Sequence, residues 1–253
     1  MEYLSFKNVN FNYFTKDGEF EALRNLTFSI KKGEFVSIVG PSGCGKTTIL
    51  SLIAGLLEPT SGEILLDGEK VKDANIGYMF QRDQLFEWRN IYKNILLGLE
   101  IKNKKQNEQD EEYIDSLLKK YGLYDFKTKH PSELSGGMRQ RVALIRTLAV
   151  KPKLLLLDEP FSALDFQTRL DVCDDVKSII KEEKQTAILV THDISEAISL
   201  SDRVFILTKR PATLHKVEIM NFAKDLTPLK RRDDKNFASH FNSIWGELSN
   251  EKK

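Results

Sequence analysis

The chain has 253 residues, 41% of them hydrophobic and 30% charged, enough apolar material for one large domain or a domain with a subdomain. A formal net charge of +1 supplies no field for nucleic acid, and the two cysteines, Cys44 and Cys173, build no disulfide framework and suit a reducing compartment. No apolar run approaches the ~20 residues that span a bilayer, and the opening "MEYLSFKNVNF" lacks the basic head and apolar stretch of a signal peptide.

From the N-terminus, "YLSFKNVNFNYF" and "LRNLTFSI" alternate with period two and predict antiparallel strands flanking the core. "EFVSIVG" is a short, nearly continuous apolar run that predicts a strand covered on both faces, and "KTTILSLIAGLL" after it carries a helical pattern. The stretch from Arg82 to Ala149 reads as mostly helical. Within it "KNKKQNEQDEE", residues 102–112, has no apolar face and predicts a loop and the exposed start of a helix. "MRQRVALIRTLAV" then places Val142, Ile145, Leu148 and Ala149 at helical spacing. "KLLLLDEP" and "TAILVTHD" repeat the buried-strand pattern, and each ends in residues able to do chemistry. Near the C-terminus "LKRRDDK" is the nearest thing to a basic patch; Asp233 and Asp234 interrupt it, and it reads as solvated surface.

Alternating strand and helix predicts an α/β fold with a largely parallel sheet, joined by an N-terminal antiparallel β subdomain and an inserted helical subdomain. The expected divisions are residues 1–81 and 150–220 for the core, 82–149 for the helical subdomain and 221–253 for a short tail. Ligands of such sheets bind beyond the carboxyl ends of the strands, where the polar residues fall here.

"GPSGCGKT" matches the full spacing of a P-loop and stands between a strand and a helix. The expected nucleotide cradle is Gly40, Pro41, Ser42, Gly43, Cys44, Gly45, Lys46, Thr47 and Thr48. Its glycines turn backbone amides towards a β-phosphate, and the helix N-terminus adds a favourable dipole. Lys46 supplies charge between β- and γ-phosphates, and Thr47 offers a hydroxyl to magnesium. Asp158, after four leucines, is the second expected magnesium residue. Glu159 stands one residue on, where it can orient or deprotonate an attacking water, and His192 ends the third strand within reach of the γ-phosphate.

"LSGGMRQ" forms a second glycine loop before a helix. Ser135, Gly136 and Gly137 bring a hydroxyl and exposed amides to that N-terminus, another anion-binding end. Taken alone it also fits a simple capped helix, with Ser135 as the cap. Lying in the inserted region, it reaches a nucleotide most economically across a two-fold axis. Two chains arranged head to tail then close each second loop over the other's first.

Taken in order, "GPSGCGKTT", "LSGGMRQ", "LLLLDEP", "SALD" and "THD" resemble the ATP-binding subunit of an ABC transporter over nearly the whole chain. The resemblance implies an ATPase with ATP and Mg2+, dimeric when ATP is bound, peripheral on the cytoplasmic face of the membrane. It implies integral membrane permease subunits and a solute-binding protein as partners, and no nucleic acid. Gln81 in "YMFQRD" matches the family's glutamine that reaches magnesium and the attacking water. Ser162 to Asp165 match the loop that crosses the dimer interface. Tyr13 matches the aromatic on which adenine stacks, although Val9, Phe11 and Tyr13 also share a strand face and could simply pack.

"QRDQLFEWRNIYKNILLGLE", "DEPFSALDFQTR" and the tail with "FNSIWGEL" are most similar to the nitrate, sulfonate and taurine uptake group, which implies import of a small solute. Leu85, Phe86 and Trp88 form the expected docking loop for the membrane subunit, or else belong to the helical core. A soluble family member working outside transport is the other reading. The DNA-repair type would carry a long coiled-coil insertion before "LSGG", and the sequence has none.

Overall fold

Four leucines in a row, Leu154 to Leu157, face alternately to two separate apolar clusters, and the whole fold is arranged around that division. The computed structural model describes residues 2–16, 18–102, 108–223 and 225–250. Strands β1 (Glu2–Thr15) and β2 (Gly18–Lys31) form the expected antiparallel pair. With β4 (Ser61–Leu66) and the short β5 (Glu69–Lys70) they make a four-stranded sheet in the order β2-β1-β4-β5. Alternation, shifted by an irregularity between Phe6 and Val9, puts Leu4, Phe6, Val9 and Phe11 inside, and Phe6 pairs with Phe28 with ring centroids 4.3 Å apart.

The second sheet has six strands. β3 (Phe35–Val39), β6 (Ile76–Met79), β7 (Leu154–Asp158), β8 (Thr186–Val190) and β9 (Arg203–Leu207) run parallel, while β10 (Leu214–Ile219) pairs antiparallel at the edge. The order is β10-β9-β3-β8-β7-β6. Two parallel strands, β6 and β9, join the three expected from the apolar runs. β6 has only four residues, too few for a periodicity to show.

Leu154 and Leu156 face α1 (Lys46–Ile53) and the antiparallel sheet. Leu155 and Leu157 face α2 (Ile91–Ile101), α3 (Glu108–Lys120), α4 (Gly136–Ala149) and α5 (Phe166–Glu182). Each fully buried leucine contributes about 1.5–3 kcal/mol of transfer free energy, so a polar residue at either register would unseat one layer. A third cluster joins Val39, Val204 and Ile206 to α6 (Ile194–Leu200) and α8 (Phe237–Asn250), with α7 (Pro228–Arg232) between them in the chain.

Three details depart from the sequence reading. α1 stops at Ile53, four residues short of the apolar run, because the amides of Ala54, Gly55, Leu56 and Leu57 fold back onto carbonyls of Leu50, Leu52 and Ser51. Of the polar stretch 102–112, residues 103–107 lie outside the described residues, and α3 begins at Glu108. The "LKRRDDK" stretch is not wholly solvated. Arg231 is 6% exposed, and its guanidinium donates to the carbonyls of Ser199 (3.2 Å) and Ser201 (2.8 Å) at the end of α6. A helix C-terminus concentrates unpaired carbonyls, and a buried arginine satisfies them.

Candidate active site

The strand order sets the site. β3, β8, β7 and β6 lie side by side and in parallel, so the residues leaving their carboxyl ends are neighbours: the glycine loop from β3, His192 beyond β8, Asp158 and Glu159 at the end of β7, and Gln81 beyond β6.

The glycine loop turns from β3 into α1 without a side-chain cap. Gly45 has φ of 122°, and a Cβ there would stand 3.0 Å from Leu23 Cδ2, so both backbone and packing demand glycine. Lys46 folds over the loop, its Nζ donating to the carbonyls of Gly40 (2.9 Å) and Pro41 (3.1 Å). Cys44 is buried rather than displayed, and burial pushes its thiol up, with the Lys46 and Arg210 charges and nearby amides opposing. Thr47 is exposed. Thr48 is buried and its hydroxyl lies 3.0 Å from the Tyr13 hydroxyl. Tyr13 is half-buried and stacks on Phe20 with centroids 5.2 Å apart, while Phe11 meets it edge-on at 4.8 Å. Its ring thus belongs to an aromatic group at the tip of the hairpin, beside the cradle.

Asp158 accepts a hydrogen bond from Tyr78 Oη at 3.0 Å. Burial raises its carboxyl and the neighbouring Glu159 charge raises it further, against the Tyr78 bond and the Lys46 charge. Glu159 has φ of 46°, a left-handed backbone that costs a non-glycine residue of order 1 kcal/mol or more. It is held there by its amide donating to the Val190 carbonyl (2.8 Å) on β8 and by Ser162, whose amide and hydroxyl donate to the Glu159 carbonyl. This backbone turn brings Glu159 Oε2 to 3.2 Å from His192 Nδ1 and 3.5 Å from Gln81 Nε2. His192 is 66% exposed and Glu159 24% exposed, so the cluster opens outward. A carboxylate so placed can accept a proton from a water that also faces Gln81 and His192.

Ser135 caps α4, its hydroxyl accepting from the Met138 amide at 3.3 Å. Gly136 and Gly137 pack on Leu164, Thr168 and Val172. A Cβ on Gly137 would meet both Thr168 and Val172 at about 3 Å, so glycine lets α4 start against the loop and helix that follow Glu159. Gly136 and Gly137 join residues 164–172, with Ser135 capping the same helix, while Lys46, Gln81, Asp158, Glu159 and His192 lie at the strand ends.

Several participants escape a reading of the sequence. Asp83, two residues beyond Gln81, pairs with Arg139 on α4 (Oδ2 to Nε, 2.8 Å), and Arg146 donates to the carbonyls of Asp83 and Gln84. Burial works to raise the Asp83 carboxyl, but the Arg139 bond, the Leu85 amide and the Arg139 and Arg146 charges prevail and hold it low. Arg210 donates to the Gly43 carbonyl at 2.6 Å and lies 4.9 Å from the Phe20 ring. Tyr78 had a faint signal, a polar tip in the apolar "IGYM"; the arginines had none.

The structure divides the expected docking loop between its two readings. Leu85 is 7% exposed and belongs to the helical core, whereas Trp88 is 74% exposed and stacks on half-buried Phe86 at 4.5 Å. Asn94, wholly buried, ties the loop: its amide donates to the carbonyls of Phe86, Arg89 and Asn90 and its oxygen accepts from the Phe86 amide.

The chain is similar in sequence and fold to known proteins. Residues 23–162 match the family model described as ABC transporter. The chain is 47% identical over its whole length to an uncharacterised ABC transporter ATP-binding protein of Bacillus subtilis, covering 98% of that protein. It is 41% identical to the taurine import ATP-binding protein of Roseobacter denitrificans, covering 91% of this chain and 89% of the relative. Among solved structures it is similar to an ATP-binding cassette dimer in a post-hydrolysis state bound to ADP and Pi, with a TM-score of 0.72, 32% identity, and coverage of 87% of this chain and all of the other. The glycine cradle, the Asp158–Glu159 strand end and these likenesses agree: the chain belongs to the ABC transporter family, as an ATP-binding ATPase subunit.

Proposed function

We propose that this subunit drives import of a small solute, of the taurine, sulfonate or nitrate kind, through separate membrane subunits supplied by a solute-binding protein. The similarity to a taurine import ATP-binding protein supports that reading. No helix among the described residues is long and apolar enough to cross a membrane, so the work is delivered through contact, from a peripheral position on the cytoplasmic face. Trp88, exposed on a loop that Asn94 ties with four hydrogen bonds, is the side chain best placed for that contact.

The observation that carries the catalytic part is Glu159 Oε2 facing both His192 and Gln81. Lys46 and the loop amides bind the β- and γ-phosphates, and Tyr13 stacks on the adenine. Glu159 takes the proton of the attacking water while Gln81 and His192 hold water and γ-phosphate in line. The residues present fit magnesium: Thr47 hydroxyl, Asp158 carboxylate and Gln81 carbonyl are hard oxygen donors, and the half-buried Asp158 carboxyl stands beside the Glu159 charge, with Lys46 opposing. Magnesium, when bound, neutralises charge on the phosphates.

Each site is completed by a second copy. The capped α4 N-terminus, with Ser135, Gly136 and Gly137, closes over the partner's nucleotide, and residues 162–165 cross between the two sites. The likeness to a cassette dimer bound to ADP and Pi supports this. ATP binding then favours the closed dimer, and hydrolysis releases it. The test is ATPase activity against protein concentration at saturating ATP. Specific activity is expected to fall on dilution; a constant value for a verified monomer overturns the composite site.

A further inference from the structure

At the amino ends of the parallel strands, opposite the nucleotide, lies a cavity of about 470 Å³. Phe35 at the start of β3 and Asp202 just before β9 line its floor, and the end of α5 and the chain into α7 form its walls. Its lining holds four cations, Lys177, Lys181, Lys184 and Arg231, against one carboxylate, Asp202. That carboxylate is already engaged. Its Oδ2 accepts from the Phe35 amide at 2.8 Å, and its Oδ1 stands 3.9 Å from Lys177 Nζ, beyond hydrogen-bond range.

Arg231 is buried and Lys177 is half-buried. The Lys177 side chain is 16% exposed and Arg231 is 6% exposed. Both serve the end of α6, Lys177 through the Leu200 carbonyl (2.6 Å) and Arg231 through Ser199 and Ser201. Those carbonyls are neutral acceptors, so Asp202 is the one lining carboxylate that opposes both charges; the buried Nε of Arg231 has no hydrogen-bond partner among the described residues. Burial lowers the Lys177 ammonium to about 8, with the Asp202 charge opposing and the Arg231 and Lys181 charges adding to the depression. Apart from Gln185 and Gly33, the remainder of the lining is apolar, with Phe35, Ile180, Met220 and Phe222.

We propose that this cavity binds a small organic anion, its carboxylate, sulfonate or phosphate head among Lys177, Lys184 and Arg231 and its apolar body against Ile180, Met220 and Phe222. Excess buried positive charge, an orphaned donor and an apolar wall are the complement of such a molecule. The position gives the site leverage. α5 and α6 end at this cavity, and they begin at Asp165 and Asp193, which cap them next to the interface loop and His192. A bound anion adds contacts to the far ends of both helices.

The test uses the full chain with saturating ADP, which keeps the phosphate loop occupied, and phenylphosphate, benzenesulfonate and uncharged benzyl alcohol as probes in isothermal titration at neutral pH. One or both anions are expected to bind and benzyl alcohol not to, the better anion identifying the head group. Lys177→Met is expected to weaken that binding at least about tenfold, and Lys184→Ala about threefold or more. Lys184 is exposed, so its variant decides the matter if Lys177→Met fails to fold. Absence of binding by both anions at about 10 mM, equal binding of benzyl alcohol, or affinities unmoved by the substitutions overturns the proposal.

Discussion

His192 Nδ1 lies 3.2 Å from Glu159 Oε2, although 33 positions separate the two in sequence and they leave different strands. The pairing of β7 with β8 makes them neighbours, and the left-handed turn at Glu159 aims the carboxylate across the gap. Glu159→Gln keeps the shape and the Gln81 contact but cannot accept a proton. Hydrolysis is expected to fall by about 10² to 10⁴, with an ATP-dependent dimer persisting on gel filtration. Wild-type turnover in this variant would show that another group is the base.

Ser135→Asp separates capping from catalysis. Aspartate caps α4 as well as serine, so thermal stability should hold. In the composite site it sets a carboxylate against the partner's γ-phosphate, and turnover should drop at least about tenfold while one chain still binds ATP. Equal turnover in wild type and variant removes Ser135 from the site.

The Asp83–Arg139 pair fastens the segment after Gln81 to α4. Its side chains are 17% and 27% exposed, so solvent screens part of its strength. A double-mutant cycle of Asp83→Asn and Arg139→Gln, read by denaturant unfolding, should give a coupling of about 1–2 kcal/mol. Strict additivity would mean that the ion pair does not join the two elements.

Glu196 carries a pH dependence of stability. Burial raises its carboxyl to about 7, the Asp193 charge adding, against a 2.6 Å hydrogen bond from Thr191 and the Arg169 and His192 charges. Because the folded value lies above the ordinary 4.5, its contribution is fully present below that value and is lost as pH rises through 7. Glu196→Gln, still accepting from Thr191, should stabilise the fold at pH 8 by up to about 3 kcal/mol and by almost nothing near pH 4.5. Thermal denaturation at both pH values checks it; a gap independent of pH refutes the buried charge.

Much of the candidate site was legible beforehand because its chemistry is local. A phosphate cradle needs glycines, a lysine and a hydroxyl at fixed spacing between a strand and a helix, and a strand covered on both faces announces itself as an apolar run before its terminal acids. Leu85 went the other way, into the core, since exposure depends on which face the surrounding loop turns inward, and Asn94 sets that turn.

Arg139, Arg146 and Arg210 were silent in the sequence, and Arg231 read as solvated surface. A charged residue reads alike whether it meets solvent, a carboxylate or an exposed carbonyl, and its partner here lies from 30 to 167 positions away. The sequence by itself determined the chemistry available at the carboxyl ends of the strands, because local spacing dictates backbone turns and side-chain type. Only the tertiary structure decided which strand ends stand side by side, and that cations gather around a cavity at the opposite end of the sheet. Both depend on strand order and helix packing, which long-range burial selects.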